Sequence, residues 1–457
     1  MEKFNQGFVY FICLVAAFGG LLFGYDWVVI GGAKPFYEVY FGITDSAADQ
    51  GLAMTTALIG CMIGATLCGS LADRIGRKKL LIIASLIFFF SAIATGVFNN
   101  FSAFLVARFL GGIGIGLASG LSPMYIAEVA LANIRGRLVS LNQMTIVLGI
   151  LGAQVTNWFI ADKIPGGIIA LESWNAQMAW RWMFWAAAVP SMIFFLLALF
   201  IPESPRWLST RNAGKATHIL EKIGGREYAA REMQAIQSAN AEAAKAAGLS
   251  ALFSNKYKTI LVLGIIIAVF QQWCGTNVIF NYAQEIFQSA GYEVGDVLFN
   301  IVITGVANVL FTILAIFTVD KWGRRSLMLL GAGGLCGIYA ILGTCYFFHV
   351  TGMGMIILVV AAIACYAMTL GPCTWVLIAE LFPNNIRAIA VATCTFALWV
   401  GSSTLTYTFP FLNQGLGSYG TFWIYSGVCL CGFLFFLAKL PETKGKSLEE
   451  LEKDLVK

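Results

Sequence analysis

Residues 52–98 read LAMTTALIGCMIGATLCGSLADRIGRKKLLIIASLIFFFSAIATGVF. Two apolar runs flank a short turn holding Asp73, Arg74, Arg77, Lys78 and Lys79. At 1.5 Å rise per residue, about 20 apolar residues cover a hydrocarbon layer of roughly 30 Å. The stretch therefore reads as a hairpin of two membrane-crossing helices with a basic turn in water.

The rest of the chain repeats this pattern. Of 457 residues, 59% are hydrophobic and 12% charged, with mean hydropathy +0.78. A soluble domain carries about 25% charged residues, and a chain this apolar would leave large sticky patches in water. The net charge of +5 is modest, and no basic patch interleaves with aromatics as nucleic-acid binding would need. The eleven cysteines lie in apolar segments without zinc-ligand spacing, which fits packing residues. With only His218 and His349, a histidine-based metal or catalytic centre is not expected. The run 8–32 is too long for a cleavable signal and reads as the first span.

Twelve spans are predicted: 8–32, 52–72, 80–98, 102–128, 138–161, 181–201, 258–288, 297–319, 326–348, 353–379, 388–411 and 420–440. Of the 29 Lys and Arg, Lys34, Lys163 and Arg181 fall on connections of one side, and Arg108 falls within a span. The others lie in the tails or after even-numbered spans, so the positive-inside rule puts both termini in the cytoplasm. The polar stretch 202–257 reads as short amphipathic helices on that same surface.

Three motifs recur about 240–250 residues apart. Asp73 to Arg77 (Asp-Arg-Ile-Gly-Arg) matches Asp320 to Arg324 (Asp-Lys-Trp-Gly-Arg). Glu128 and Arg135 match Glu380 and Arg387. Pro202-Glu-Ser matches Pro441-Glu-Thr. The chain thus divides into an N-terminal six-helix bundle (1–204), a cytoplasmic helical linker (205–257), a C-terminal six-helix bundle (258–440) and a tail (441–457). Such a parallel repeat is the plan of major-facilitator transporters. Ion pairs among Asp73, Arg77, Glu128, Arg135, Asp320, Arg324, Glu380 and Arg387 are expected to hold the halves together in one state and break in the other.

Two charges lie inside spans at matching depth, Asp26 in the first and Arg108 in the fourth. Intramembrane charges are costly and mark function. Equal depth makes them partners, and Asp26 a candidate proton carrier. Polar and aromatic side chains gather at mid-depth: Gln143, Gln271, Gln272, Asn277, Asn308, Trp375 and Trp399. Amides both donate and accept, and indoles cover apolar ring faces. That mixture suits a neutral polyhydroxyl solute.

The sequence resembles the sugar porter family of the major facilitator superfamily over essentially its whole length. The matching elements are Gly69-Ser-Leu-Ala-Asp73-Arg-Ile-Gly-Arg77, Pro202-Glu-Ser-Pro-Arg206, Gln271-Gln-x3-Gly-x-Asn277 with Tyr282, Gly371-Pro-x2-Trp375 and Pro441-Glu-Thr-Lys-Gly445. In these motifs it resembles bacterial proton–xylose symporters and, more distantly, animal glucose facilitators. The resemblance implies sugar contacts from Gln143, Gln271, Gln272, Asn277, Tyr282 and Trp375, with Trp399 on the cavity floor and Asn308 nearby. It implies proton coupling through Asp26 and Arg108, since facilitators typically carry an amide in place of that acid. Ile150, Leu398 and Asn281 depart from the usual pattern, which bears on the identity of the sugar rather than its class.

The expected function is proton-coupled symport of a pentose or hexose by a monomer in a bacterial inner membrane. No cofactor, metal, nucleic acid or enzymatic step is expected. An uncoupled facilitator is the alternative. A non-transporting sugar receptor is a further one, but only a short charged segment follows Pro441.

Overall fold

The computed structural model describes residues 4–131, 134–162, 169–243, 252–292, 294–383 and 386–442. Among these the regular structure is entirely helical. Helices α1 (Gln6–Phe41), α2 (Ala47–Ile75), α3 (Arg77–Val97), α4 (Phe101–Val129), α5 (Arg135–Ile160) and α6 (Asn175–Ala198) form the first group. Two polar helices follow, α7 (Pro205–Ser209) and α8 (Ala213–Ala243). The second group comprises α9 (Asn255–Trp273), α10 (Thr276–Asn281), α11 (Ala283–Ser289), α12 (Val294–Trp322), α13 (Arg324–Phe347), α14 (Met353–Met368), α15 (Leu370–Leu381) and α16 (Arg387–Lys439).

Among the described residues, eleven segments are long and apolar enough to cross a membrane. The last runs over 51 residues, more than twice the ~20 needed for one crossing. It breaks at Gly417, where φ is +67°, and so supplies two spans, matching the predicted 388–411 and 420–440. The chain is thereby an integral membrane protein of twelve crossings.

Small residues let the backbones approach, as membrane packing requires. A Cβ on Gly60 would stand 2.2 Å from the Phe109 carbonyl, and one on Gly112 2.0 Å from that of Ala57. That contact locks α2 on α4; α1 packs likewise on α5, and α13 on α16. The two groups meet where α2 lies on α16, α5 on α12, and α1 on α10 and α11.

Three sequence expectations need correction. The first helix does not stop near Gly32 but continues to Phe41, with Pro35 inside it. Lys34 is therefore buried within a helix rather than set on a connection. Arg181 likewise lies in α6, donating to the Gly96 carbonyl at 2.6 Å and to Asn99 Oδ1 at 2.8 Å. The seventh span is not continuous. It breaks at Gly275 (φ +87°) into α9 and α10, and again at Tyr282. The tenth span, where the sequence places a break at Gly371-Pro372, does break, at Thr369, so that Pro372 occupies the first turn of α15, where a missing N–H is harmless.

Candidate central site

Asp26 on α1 and Arg108 on α4 meet as the sequence predicted. Arg108 Nη1 lies 2.5 Å from Asp26 Oδ1, and the two residues are 3% and 6% exposed respectively. The guanidinium also sits 5.2 Å from the Phe184 ring centroid. Beside the pair is a void of about 20 Å³, lined among others by Asp26, Arg108, Trp27 and Asn281. Most of its lining is apolar, with Asp26, Arg108 and Asn281 as the polar members, and its volume exceeds the ~10–15 Å³ that one water needs. Just past the pair, Phe23 and Trp27 pack on Trp399 of α16, with centroids 5.9 Å apart in each case. The aromatic cluster thus joins the two groups of helices next to the buried carboxylate.

The span-seven amides form a chain rather than separate points. Asn277 Nδ2 donates to Gln272 Oε1, Gln272 Nε2 donates to Gln271 Oε1 at 2.6 Å, and Gln271 Nε2 donates to the Tyr366 hydroxyl. The break at Gly275 falls between Gln272 at the end of α9 and Asn277 in α10. All three amides are buried, as are Asn308 on α12 and Trp399 on α16. Gln143 is half-buried on α5. Trp375 is 43% exposed. Tyr282 lies apart: its hydroxyl donates to the Thr406 carbonyl at 2.7 Å, and its ring packs on Phe409 at 4.2 Å. Two further groups, one half-buried and one buried, escaped the sequence reading. Tyr366 closes the amide chain; its only signal is a phenol inside an apolar run, just before the break at Thr369. Gln154 is 1% exposed on α5, eleven residues and so about three turns beyond Gln143.

The repeated motifs gather at one end. Arg77 binds Glu128 through Nη2 at 3.0 Å and Asp73 through Nη1 at 2.9 Å, and Arg324 binds Glu380 at 3.2 Å. These pairs each lie within one group of helices, not between groups. Arg135 is exposed, and Arg387 donates to the Phe382 carbonyl at 3.0 Å. The side chain of Asp320, and Thr443 to Gly445, fall outside the described residues.

The Pro-Glu motifs have a role that the sequence reading left open. Glu203 accepts from the backbone N–H of Arg77 at 2.9 Å and of Lys78 at 3.0 Å. Glu442 accepts from those of Arg324 at 3.0 Å and Arg325 at 3.2 Å. Each carboxylate caps a helix N-terminus, where orphan donors and the helix dipole favour an anion. Each also fills the space above a glycine: a Cβ on Gly76 would stand 2.3 Å from Glu203, and one on Gly323 2.7 Å from Glu442. Both glycines have positive φ. Glu203→Ala or Glu442→Ala should each cost about 1–2 kcal/mol, read as a lower melting temperature in detergent. An unchanged melting temperature in both would count against the capping role.

The opposite end is sealed. Lys34 binds Glu285 across the two groups. Gly31 of α1 abuts the Asn281 carbonyl of α10, and Gly51 of α2 abuts Tyr407 of α16.

A family model described as "Sugar (and other) transporter" matches residues 12–455. The chain is 38% identical to the arabinose-proton symporter of Bacillus subtilis, over 99% of this chain and 96% of that protein. It is 37% identical to the D-xylose-proton symporter of Escherichia coli, over 98% and 96% respectively. It superposes on the inward-open conformation of the xylose transporter XylE from E. coli with a TM-score of 0.86 at 36% identity, covering 98% of this chain and all of that one.

Proposed function

The chain belongs to the sugar transporter family, and from that premise we propose that it carries a pentose or hexose into the cell together with a proton, by alternating access. The observation that carries the coupled reading is the Asp26–Arg108 pair. A carboxylate buried in hydrocarbon favours its neutral form, and a guanidinium alongside favours the ionised one. A carrier that changes the separation of the two as it changes shape loads a proton on one face and releases it on the other. The water-sized void lies at the pair, and the Phe23–Trp27–Trp399 cluster ties the pair to the contact between the moving halves.

The sugar is held by Gln143, Gln271, Gln272, Asn277, Asn308 and Trp375 over the floor made by Trp399. The span-seven amides orient one another through these bonds, and each keeps a second donor or acceptor site for the sugar hydroxyls. The moving units are residues 1–204 and 258–440, with 205–257 as the linker and 441–457 as the tail. The excess of Lys and Arg at the motif end puts that end and both termini in the cytoplasm of a bacterial inner membrane. The state with its opposite end sealed and Trp375 open is then inward-facing. In the outward-facing state the motif-end acids and bases pair across the halves instead. The protein works as a monomer in lipid, without cofactor or metal, and performs no enzymatic step.

The test uses purified protein in liposomes and a panel of labelled hexoses and pentoses. One sugar should enter, and its addition to de-energised vesicles should alkalinise the medium. Sugar entry with no proton movement would make the protein a facilitator. No entry of any sugar would overturn the reading as a whole.

A further inference from the structure

The coupling pair and the sugar amides leave one buried charge cluster without a role. Lys34 and Glu38 stand one turn apart on α1, 3% and 6% exposed. Glu285 stands on α11, in the other half. Lys34 Nζ lies 2.7 Å from Glu38 Oε1 and also binds Glu285 Oε1. The ammonium sits 5.4 Å from the Tyr282 ring centroid. Tyr37, with Arg108 deeper in the first half, completes the ionisable surroundings. A cavity of about 280 Å³ adjoins the cluster, walled by Thr44 and Gln50 of the first half and by Asn413 and Gln414 of the second.

We propose that Lys34 is a two-acid latch that closes this end of the transporter, with Glu285 as the catch and Glu38 as the holding partner. Stranding a buried charge is costly. A buried ion pair that breaks leaves two uncompensated charges, which is strongly unfavourable. A latch of that kind would close and not reopen. Here Glu38 is on the same helix as Lys34 and travels with it, so the ammonium keeps a carboxylate when the halves part. Glu285 has a side chain 24% exposed and moves towards the polar cavity, where water receives it. Lys34 thus needs Glu285 to close and Glu38 to open.

The inference rests on the alternating-access reading, but the distance that tests it does not depend on what the cargo is. Spin labels at Thr44 and Gln414, one on each half, would report the separation in lipid nanodiscs. The accessible Cys336, Cys345, Cys365 and Cys431 would be replaced by Ser. Lys34→Gln and Glu285→Gln should each raise the long-distance population about fivefold or more. Glu38→Gln should do the reverse, lowering that population and slowing net uptake several-fold. Lys34→Glu combined with Glu285→Lys should restore the closed distance. Sugar binding by each variant checks its fold; if Lys34→Gln fails that check, Glu285→Gln carries the same test at a more exposed position. A merely structural cluster would send all three single variants the same way. That result, or no shift in any of them, overturns the proposal.

Discussion

Asp26→Asn should abolish uphill accumulation of sugar while sparing sugar binding and sugar-for-sugar exchange. A proton crossing a membrane potential releases about 2.3 kcal/mol per 100 mV. One proton per sugar at 100 mV therefore supports a concentration ratio of about 50-fold, and the variant should fall to equality. The amide imitates the protonated acid, so the empty carrier can still reorient but releases no proton. The substitution leaves Arg108 its hydrogen-bond acceptor, because an amide oxygen can replace Asp26 Oδ1 at 2.5 Å. Asp26→Ala would instead strand a buried guanidinium, at a cost of roughly 3–5 kcal/mol, and should lower the melting temperature much more. Counterflow assays and accumulation in energised vesicles separate the two effects. If Asp26→Asn still concentrates sugar, the proton travels elsewhere.

The Asp26–Arg108 pair was legible in the sequence because depth in a membrane helix is simple arithmetic: two charges equally far from the same surface have few other partners. The spans were legible for a related reason, since lipid demands long apolar runs. The same logic misplaced Lys34 and Arg181. A hydropathy reading sees a charge at the end of a run and ends the helix there. It cannot see that Glu38 one turn on and Glu285 from a distant segment neutralise Lys34, or that Gly96 and Asn99 satisfy Arg181. Charge compensation between segments is a tertiary fact. It decides whether a helix continues past its apolar stretch.

The motif end shows a second limit. Recurrence of Asp73–Arg77 as Asp320–Arg324 identified a repeat, and acids at matching positions pointed to ion pairs. Spacing alone did not say with whom they pair. In this state Arg77 binds Glu128 and Asp73 of its own half, and Arg324 binds Glu380 of its own. Capping by Glu203 and Glu442 was also hidden, because it depends on where the sixth and twelfth spans deliver the chain relative to the third and ninth.

The largest effect on the ligand should come from the amide chain. Gln271, Gln272, Asn277 and Tyr366 are linked in series, so each group is held in place by the next. On the proposed reading, a sugar that enters meets donors and acceptors whose directions these bonds already fix. Removing the first amide in Asn277→Ala leaves Gln272 Oε1 without its donor; removing the third in Gln271→Ala frees both Gln272 and Tyr366. Each variant also leaves one sugar hydroxyl buried without a partner. An unsatisfied buried polar group costs about 1–3 kcal/mol, or about 5- to 150-fold in dissociation constant. Gln271→Ala should be the more severe, because it cuts the chain in the middle and disturbs two neighbours. Tyr366→Phe removes only the terminal acceptor and should fall at the lower edge of that range. Calorimetric titration of each folded variant with the transported sugar gives the order. Equal affinities for the wild type and Gln271→Ala would remove the sugar from this chain of amides, and an effect of Tyr366→Phe exceeding that of Gln271→Ala would mean that the phenol, not the amide, is the primary contact.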